Sequence, residues 1–454
     1  MSEVQASNAT PKTPSLETPS LGLTTLTTLV VANMIGAGVF TSSGFSLAAL
    51  GHPGRVMLAW WLCGAWAICG AICYGGLVAR LPLSGGEYLF LSRFVHPAIG
   101  FLGGWVSMIA GFTAPIAAAA LGAAVYAMPT TEVEPWQVKA LAAGIIIVAT
   151  GCQLLGAHVG GTAQNIIVFA KLALLVVIIA WAFLFAPNEV WQGRGLVDGP
   201  SSWWPESWSA WVVLAGSMSW IALSYTGFNA AIYVAGEARK PTRNVPRSMI
   251  VGTLTVTVVY LLLNYVFVYA PAPESIVGQE RVAGIAGLAI GGVRLQNWIR
   301  VTIVLSMTSS VFAMLLTGPR VYQRMADDGV MPALFRSTGG VPRWAILVQA
   351  ALSLVAVWIA SLLELMMYLG LTLSACGALA VMSLWWAKRR LPDTRPLSWW
   401  ENLAMVVYLS VTACIIAASY STHFFGFIAM LATFVLGMVV YGIVRMMSNW
   451  QTKV

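Results

Sequence analysis

The stretch "NMIGAGVF", residues 33–40, places two glycines inside a long apolar segment of the sequence. Gly36 and Gly38 flank a single alanine, and a glycine within a helix costs about 0.5–1 kcal/mol relative to alanine. The apolar segment runs from Leu21 to Leu50, which is long enough to cross the hydrocarbon core of a bilayer as a helix. The stretch therefore predicts a membrane helix that is interrupted near its middle.

Composition places the whole chain in a membrane. Of the 454 residues, 59% are hydrophobic and only 9% are charged, and the mean hydropathy is +0.80. About twelve apolar segments are long enough to span a bilayer, and backbone groups in lipid must find partners within the protein, which favours helices. We therefore predict an all-α integral membrane fold with about twelve transmembrane helices. Residues 1–20 are polar, and they are predicted to be a disordered tail rather than a cleaved signal peptide.

The basic residues predict the orientation of these helices. Of the 24 Lys and Arg residues, 17 fall in loops on the side of both termini and six fall on the other side, while Lys171 lies within a helix. Cytoplasmic loops of membrane proteins carry the excess of Lys and Arg. We therefore expect an even number of helices and cytoplasmic termini. We therefore attribute the net charge of +8 to the basic loops that set the membrane topology, and it does not indicate a nucleic-acid partner.

A second interruption occurs at "SYTGFN", residues 224–229. Thr226, Gly227 and Asn229 interrupt an apolar run near mid-depth of the sixth predicted helix, five helices after the first break. Many transporters consist of two inverted repeats, each of which begins with a discontinuous helix. The predicted division is a disordered cytoplasmic tail at 1–20, a first repeat of helices one to five at 21–187, a second repeat of helices six to ten at 208–387, and helices eleven and twelve at 400–447.

The two breaks together suit a zwitterionic ligand. The N–H groups at the start of a half-helix attract a carboxylate, and freed carbonyl groups accept hydrogen bonds from an ammonium. Irregular backbone at this depth is tolerated only where it lines a cavity or is buried in protein. Glycine is common in this chain, with 43 residues, so either break alone is also compatible with simple helix packing. Their pairing at the repeat spacing favours a binding site.

Lys171 stands alone in the apolar run "QNIIVFAKLALLVVIIAWAF". A lysine near the bilayer centre costs about 2.5–3.5 kcal/mol, and residues at such positions are usually functional. One interpretation is a fixed cation that is able to release a proton. The other is a structural lysine that snorkels to the interface or pairs with backbone carbonyls. Glu237 ends helix six and Glu364 begins helix ten, so a relay of carboxylates at mid-membrane is not expected.

The other reactive or charged residues of the sequence do not form the patterns expected of an enzyme or of a channel. The six cysteines lie in predicted helices and show neither a disulfide framework nor the spacing of metal ligands. A membrane-embedded enzyme needs His, Asp, Glu or Ser–Lys groups clustered at depth. A channel needs rings of charge or carbonyl filters. We therefore expect no catalytic residues, no metal and no cofactor.

Five stretches of the sequence, in order, resemble the amino acid–polyamine–organocation (APC) superfamily of permeases. They are "NMIGAGVF" (33–40), "CYGGLVARLPLSGGEYLFLSRFV" (73–95), "FAKLALLVV" (169–177), "SYTGFNAAIYVAGEARKPTRNVPRSM" (224–249) and "GPRVYQRMADDGVMPALF" (318–335). The resemblance covers about residues 20–450. It implies a leucine-transporter-like fold with a 5+5 inverted repeat, discontinuous helices one and six, and two extra helices. It also implies secondary active transport of amino acids by alternating access, proton-coupled or by exchange.

The resemblance also assigns roles to residues by position, at a site between helices one, three, six and eight. The residues that face the substrate carboxylate are Met34, Ile35, Gly36, Ala37 and Gly38. Those that line the amine and side-chain region are Leu223, Ser224, Tyr225, Thr226 and Gly227. Asn229 supports the helix-six break, and Lys171 substitutes for the sodium site of sodium-driven relatives.

Several positions depart from the family pattern. Ala37 stands where relatives often have serine, and Gly76 stands where they often have glutamate. Leu223 stands where many relatives place an aromatic gate, so Tyr225 and Phe228 become the candidate gates. The outer loop "PTTEVEPWQ" lacks the cysteine by which animal relatives bond a glycoprotein subunit. We therefore expect a bacterial-type permease of the inner cell membrane without a disulfide-linked heavy subunit.

The expected substrate is a neutral amino acid. A transporter of polyamines or organic cations is the alternative, but such a substrate favours an acidic residue in the pocket, and Lys171 opposes it. The sequence leaves open which amino acid is carried, whether H⁺ or a counter-substrate drives transport, the direction of net transport, and the oligomeric state.

Overall fold

The computed structural model is helical throughout. It describes residues 21–128, 133–155, 161–191, 196, 199–336, 342–390 and 394–451. Within these ranges the β-type pairing is limited to one parallel bridge between Leu21 and Ala238. The predicted tail at 1–20 lies outside the described residues, and so do residues 129–132 of the outer loop that lacks a cysteine.

The membrane helices are numbered here in chain order. They are helix one (Leu23–Met34 and Gly38–Leu50), two (Pro53–Arg80), three (Pro97–Ala127), four (Pro135–Leu154), five (Gly161–Phe185), six (Trp208–Tyr225 and Ala230–Glu237), seven (Pro241–Tyr269), eight (Val282–Asp327), nine (Arg343–Ile359), ten (Leu362–Met382, continued by Leu384–Arg390), eleven (Trp399–Thr422) and twelve (Phe424–Gln451). Among the described residues, nine helices are long and apolar enough to cross a bilayer, and the bent pair of helix one makes a tenth. Helices five and nine present shorter apolar segments, Phe169–Phe185 and Arg343–Ile359. The all-α membrane fold predicted from the sequence is confirmed.

Helix one is discontinuous at the predicted place. Its first segment, Leu23–Met34, and its second segment, Gly38–Leu50, are bent by 43° relative to each other. They are called the inner and the outer segment after the orientation predicted from the basic residues. The amide of Ile35 still bonds to the carbonyl of Val31, at 3.3 Å, and closes the inner segment. The next helical bond near the break runs from the Phe40 amide to the Ala37 carbonyl, at 3.1 Å, and begins the outer segment.

Helix six is discontinuous as well. The α-helix ends at Tyr225, and Gly227 takes a φ of +97°, a conformation that side chains with a Cβ rarely adopt. The inner segment that follows, Ala230–Glu237, is a 3₁₀-helix with a kink at Val234. Long 3₁₀ stretches are uncommon, and they often mark a hinge or a strained sequence. The second predicted break is therefore also confirmed.

Helix three contains an irregularity that was not predicted from the sequence. Ser107–Thr113 forms a π-helical turn between the α-helices Pro97–Val106 and Ala114–Ala127. Such π-turns are rare and frequently occur at functional sites. Helix three is one of the four helices expected to surround the binding site.

The two broken helices lie at the centre of the molecule. All residues from Gly38 to Leu47 in the outer segment of helix one are buried, and this segment packs against the outer part of helix six. Helix seven packs along helix two and along the inner segment of helix one. Two backbone bonds, from Leu21 N to Glu237 O at 3.1 Å and from Arg239 N to Leu21 O at 2.9 Å, join the start of helix one to the end of helix six.

Local sequence explains several helix starts. His52 and His96 precede prolines and accept the amides of Gly54 and Ala98, at 3.0 and 3.1 Å. These bonds satisfy amides that have no partner within the helix, and proline is favoured in the first turn. Helices ten and eleven each begin with a capping box in which a serine and a glutamate satisfy each other's backbone amides.

Candidate binding site

The two breaks touch each other through glycines. A Cβ added at Gly38 would overlap the hydroxyl of Ser224. A Cβ added at Gly227 would lie 2.8 Å from the carbonyl carbon and oxygen of Asn33. Such a close approach is possible only where one of the two residues in contact lacks a side chain. Glycine at these positions therefore brings the helix-one and helix-six breaks into contact.

The helix-one break leaves backbone donors available. Among the described residues, the amides of Gly36 and Ala37 have no backbone partner, and the first amides of the outer segment lack partners within that helix. Gly36 and Ala37 are half-buried, and a Cβ added at Gly36 would meet open space among the described atoms. The positive end of the outer segment points to the same place. This arrangement suits a bound carboxylate.

The other predicted residues of helix one are not exposed to this space. The side chains of Met34 and Ile35 are buried in the core, and Gly38 is pressed against Ser224. At the break, only the backbone groups of these three residues are therefore placed to contact a substrate. The carbonyl of Gly38 accepts the hydroxyl of Ser42 at 2.6 Å, so it is already satisfied.

The predicted residues of helix six divide into a half-buried group and a buried group. Leu223, Thr226 and Gly227 are half-buried, while Ser224 is buried. The hydroxyl of Thr226 donates to the carbonyl of Leu223 at 2.6 Å. The carbonyl of Gly227 accepts the amide of Ala230 at 2.9 Å. The half-buried group is therefore the part of helix six that lines accessible space.

The two candidate gates pack against helix two. The hydroxyl of Tyr225 donates to the carbonyl of Trp60 at 3.1 Å, and the Tyr225 side chain is fully buried. The ring of Phe228 makes edge contacts with Trp66 and Tyr74, with centroids 6.4 and 5.4 Å apart. A role of either ring as a gate would require it to leave this packing, and that role stays a prediction.

Tyr260 of helix seven is a site residue that the sequence reasoning missed. Its hydroxyl lies 2.7 Å from the carbonyl of Met34 and 3.1 Å from the carbonyl of Ser224, so one side chain contacts both breaks. Asn264, one turn later, accepts the hydroxyl of Ser43 in the outer segment of helix one. The signal was present in the sequence, because a tyrosine and an asparagine four residues apart share one face of an otherwise apolar helix.

Lys171 is buried, with 7% of its surface exposed, and it donates from Nζ to the hydroxyl of Ser310 on helix eight at 2.9 Å. The role predicted for it is that of a substitute for the sodium site, and its described hydrogen bond runs to helix eight. Gly122 of helix three lies between helix eight and the helix-one break. A Cβ added at Gly122 would lie 2.8 Å from the sulfur of Met307, which is one turn before Ser310, and 3.6 Å from the Cβ of Ala37. Lys171 therefore bonds to helix eight one turn after Met307, and Met307 and Ala37 of the helix-one break both lie beside Gly122 of helix three.

Glu87 is a second residue that the sequence reasoning missed. It lies in the first turn of the short helix Gly86–Phe94, which follows helix two, with 7% of its surface exposed. Its carboxylate accepts hydrogen bonds from Asn229, Tyr74 and Tyr233. Asn229 was predicted to support the helix-six break, and the bond to Glu87 provides a physical basis for that role. Within the described ranges, no group of three or more His, Cys, Asp or Glu side chains is placed to hold a metal ion.

Comparison with known proteins gives a consistent result. A sequence model of the family described as "Amino acid permease" matches residues 21–447. The chain is 30% identical over 282 residues to the b(0,+)-type amino acid transporter 1 of Oryctolagus cuniculus, a match that covers 60% of this chain and 55% of that protein. It is 26% identical over 333 residues to the human large neutral amino acids transporter small subunit 2, covering 69% of this chain and 59% of that protein. The matches thus span somewhat more than half of each relative.

Proposed function

The chain belongs to the amino acid permease family, and from this premise we propose that it is a secondary active transporter that moves amino acids by alternating access. The observation that carries the proposal is the contact of the two helix breaks at Gly38–Ser224 and Gly227–Asn33. A zwitterion needs backbone donors and acceptors close together in a site sheltered from water. The two breaks bring both kinds of group to one place.

We assign the substrate carboxylate to the free amides around Gly36 and Ala37, and the amine and side chain to the half-buried face of helix six. Leu223, Thr226 and Gly227 form that face. Met34, Ile35, Gly38, Ser224 and Tyr225 contribute as the packed frame of the two breaks. Lys171 provides a fixed positive charge beside helix eight, in the role that Na⁺ has in sodium-driven relatives.

A neutral amino acid is the proposed substrate. The two relatives above are named for amino acid transport, and one is named for large neutral amino acids. The alternative of a polyamine or organic cation would need an available carboxylate. Both oxygens of Glu87 already accept hydrogen bonds from protein groups, so this carboxylate is not offered to a cationic substrate.

We further propose that the termini are cytoplasmic, that the protein resides in an inner cell membrane, and that transport is either proton-coupled or an exchange. The excess of Lys and Arg on the side of the termini supports the orientation. The absence of a cysteine from the sequence of the loop 129–137 supports a transporter without a disulfide-linked subunit. The family assignment supports a transporter rather than an enzyme.

Uptake into proteoliposomes tests the proposal. Purified protein is reconstituted, and radiolabelled neutral amino acids, basic amino acids and putrescine are offered with an acid-outside gradient or with unlabelled amino acid inside. Uptake driven by the gradient alone indicates proton symport, and uptake that needs internal amino acid indicates exchange. Protein-free liposomes are the control. Uptake of putrescine without any amino acid would contradict the proposed substrate class.

A further inference from the structure

Between helices two and three, the turn at Ser84 leads into the short helix Gly86–Phe94. This turn, taken here as Ser84–Glu87 with the first two residues of the helix, packs directly on the inner segment of helix six. The amide of Gly236 donates to the hydroxyl of Ser84 at 2.9 Å. Gly86 has a φ of +63°, and a Cβ added there would overlap the ring of Tyr233. Only glycine permits both this backbone conformation and this approach. The turn therefore fits one face of the helix-six inner segment closely.

Glu87 completes this contact with a buried carboxylate. Oε1 accepts from the hydroxyl of Tyr74 at 3.0 Å and from the side-chain amide of Asn229, and Oε2 accepts from the hydroxyl of Tyr233 at 2.7 Å. Both oxygens act as acceptors, as an ionised carboxylate requires. The ion pairs described in this part of the molecule involve Glu401 and not Glu87. Neutral donors alone thus hold the buried charge.

The three donors come from separate structural elements. Tyr74 belongs to helix two, Asn229 to the helix-six break, and Tyr233 to the inner segment of helix six. A buried charge that loses its hydrogen bonds is costly, more so than a neutral group. Any movement that separates helix six from helix two must therefore break bonds to Glu87 or carry the turn along. The next residue, Tyr88, donates to Asp328 in the loop after helix eight at 3.1 Å, which extends the connection to that helix.

We propose that Glu87 is a positioning residue for transport: its carboxylate fixes the helix-six break against helix two and thereby keeps Gly227 in contact with the helix-one break. The inference rests on the proposed transport function. Glu87 does not touch the substrate. It acts through Asn229, which is two residues from Gly227 in the same break.

The first test replaces Glu87 by glutamine, which keeps the size of the side chain and removes the charge. Hydrogen bonds to charged groups contribute about 1.5–3 kcal/mol, so loss of one predicts a rise in the KM for amino acid uptake of about tenfold or more. The kcat per folded transporter is expected to change much less. Glu134→Gln, at the outer cap of helix four, is the matched control and keeps the wild-type KM. A Glu87→Gln variant with wild-type KM and only less folded protein would reduce Glu87 to a structural residue and overturn the proposal.

A double-mutant cycle distinguishes loss of the contact between Glu87 and Tyr233 from a general destabilisation of the protein. Tyr233→Phe removes one donor to Glu87, so its effect on KM is expected to be non-additive with that of Glu87→Gln. Tyr441→Phe, which packs against Phe101 elsewhere, is the control for the loss of a tyrosine hydroxyl, and its effect combines additively. Additive effects of Glu87→Gln and Tyr233→Phe would count against the proposed contact.

An assay that does not depend on transport distinguishes a failure of the proposed role of Glu87 from a failure of the proposed transport function. Asn33 is exposed at the helix-one break and its backbone lies against Gly227, so a cysteine there reports the contact of the breaks. Its alkylation, followed by mass spectrometry of the peptide, is expected to be faster in Glu87→Gln than in the parent, because local opening becomes easier. Unchanged alkylation together with unchanged KM would overturn the role of Glu87. Absence of amino acid uptake by the wild type would overturn the proposed function alone, and the alkylation result would still stand.

Discussion

Gly38 is the residue at which one added side chain would disturb the candidate site most directly. A Cβ at this position would overlap the hydroxyl of Ser224, and a larger side chain would push the two breaks apart. Overpacking of a well-packed region typically costs about 1–3 kcal/mol. The contact at Gly38 therefore sets the distance between the groups assigned to the substrate carboxylate and those assigned to the amine.

We expect Gly38→Leu to lower the affinity for amino acid by about 5- to 150-fold, the factor that corresponds to about 1–3 kcal/mol. The measurement is equilibrium binding of labelled amino acid to purified protein. Gly144→Leu on helix four is the matched control, since a Cβ there meets open space among the described residues. Unchanged affinity in Gly38→Leu would mean that the glycine serves helix packing only.

Lys171 is the second residue whose removal is informative. Its Nζ donates to Ser310, and it lies within an otherwise apolar helix, so no nearby charge is described that would replace it. We expect Lys171→Ala to fold but to lose uptake by about tenfold or more, or to lose the dependence of uptake on pH, because a hydrogen bond from a charged group contributes about 1.5–3 kcal/mol. Uptake measured across a pH series, normalised to folded protein, is the check.

Lys139→Ala is the control for Lys171→Ala, since Lys139 donates to the carbonyl of Trp358 near the outer surface. It should leave uptake and its pH dependence unchanged. Full, pH-dependent uptake in Lys171→Ala would assign the lysine a structural role and remove it from the coupling mechanism.

Between elements, a buried ion pair joins helix eleven to helix two. Arg80 and Glu401 form an ion pair at 3.2 Å, with side chains 1% and 0% exposed, and a second bond at 3.3 Å makes it bidentate. Gly76 leaves room for this pair, since a Cβ there would lie 2.7 Å from Oε1 of Glu401. The carboxylate next to Arg80 thus comes from helix eleven.

We expect Glu401→Ala to destabilise the protein by about 3–5 kcal/mol, because removal of one partner leaves the buried guanidinium of Arg80 without its charge partner. Thermal unfolding in detergent, or urea unfolding where it is reversible, measures the loss. The KM for amino acid in the protein that remains folded should stay at the wild-type value. A KM that rises in parallel with the loss of stability would show that helix eleven also shapes the binding site.

The two breaks were predictable from the sequence because their causes are local. Glycines and a threonine in an apolar run weaken a helix wherever it packs, and the spacing of five helices between "NMIGAGVF" and "SYTGFN" indicates paired repeats. The division into repeats at 21–187 and 208–387 stays a prediction. The π-turn of helix three was not predicted, although it also has a local signal. Pro115 lies two residues after it and lacks the amide that would bond to the carbonyl of Gly111 in a regular α-helix.

The partners of the predicted residues were not predictable from the sequence. Tyr260, Ser310 and Glu87 contact Met34, Lys171 and Asn229 across 139 to 226 positions of sequence. Apolar periodicity tells which residues face protein, but it does not tell which neighbour they face. Long-range pairs of this kind follow from the packing of the whole bundle. The sequence therefore indicated where the two breaks lie, whereas the contacts that hold them required the fold, and the assignment of the site residues stays a prediction.

Across the whole molecule, the conformation is asymmetric about the helix-one break. The outer segment is buried from Gly38 to Leu47, whereas the inner segment exposes Leu23, Thr24, Thr25 and Asn33. The amide of the exposed Asn33 side chain donates to the carbonyl of Leu29. The segment before the break is therefore the more accessible part of helix one, and the segment beyond the break is packed within the protein.

This asymmetry predicts sided labelling in the full-length protein. A cysteine at Asn33 should react with a membrane-impermeant thiol reagent applied from the side of the termini, and a cysteine at the fully buried Ser46 should react from neither side. Saturating amino acid should slow the reaction at Asn33, because a ligand that binds both breaks favours the state in which they are closed together. Labelling of Asn33→Cys only from the opposite side would show that the resting state opens outward. Labelling that amino acid leaves unchanged would show that the gap at Asn33 is not on the substrate path.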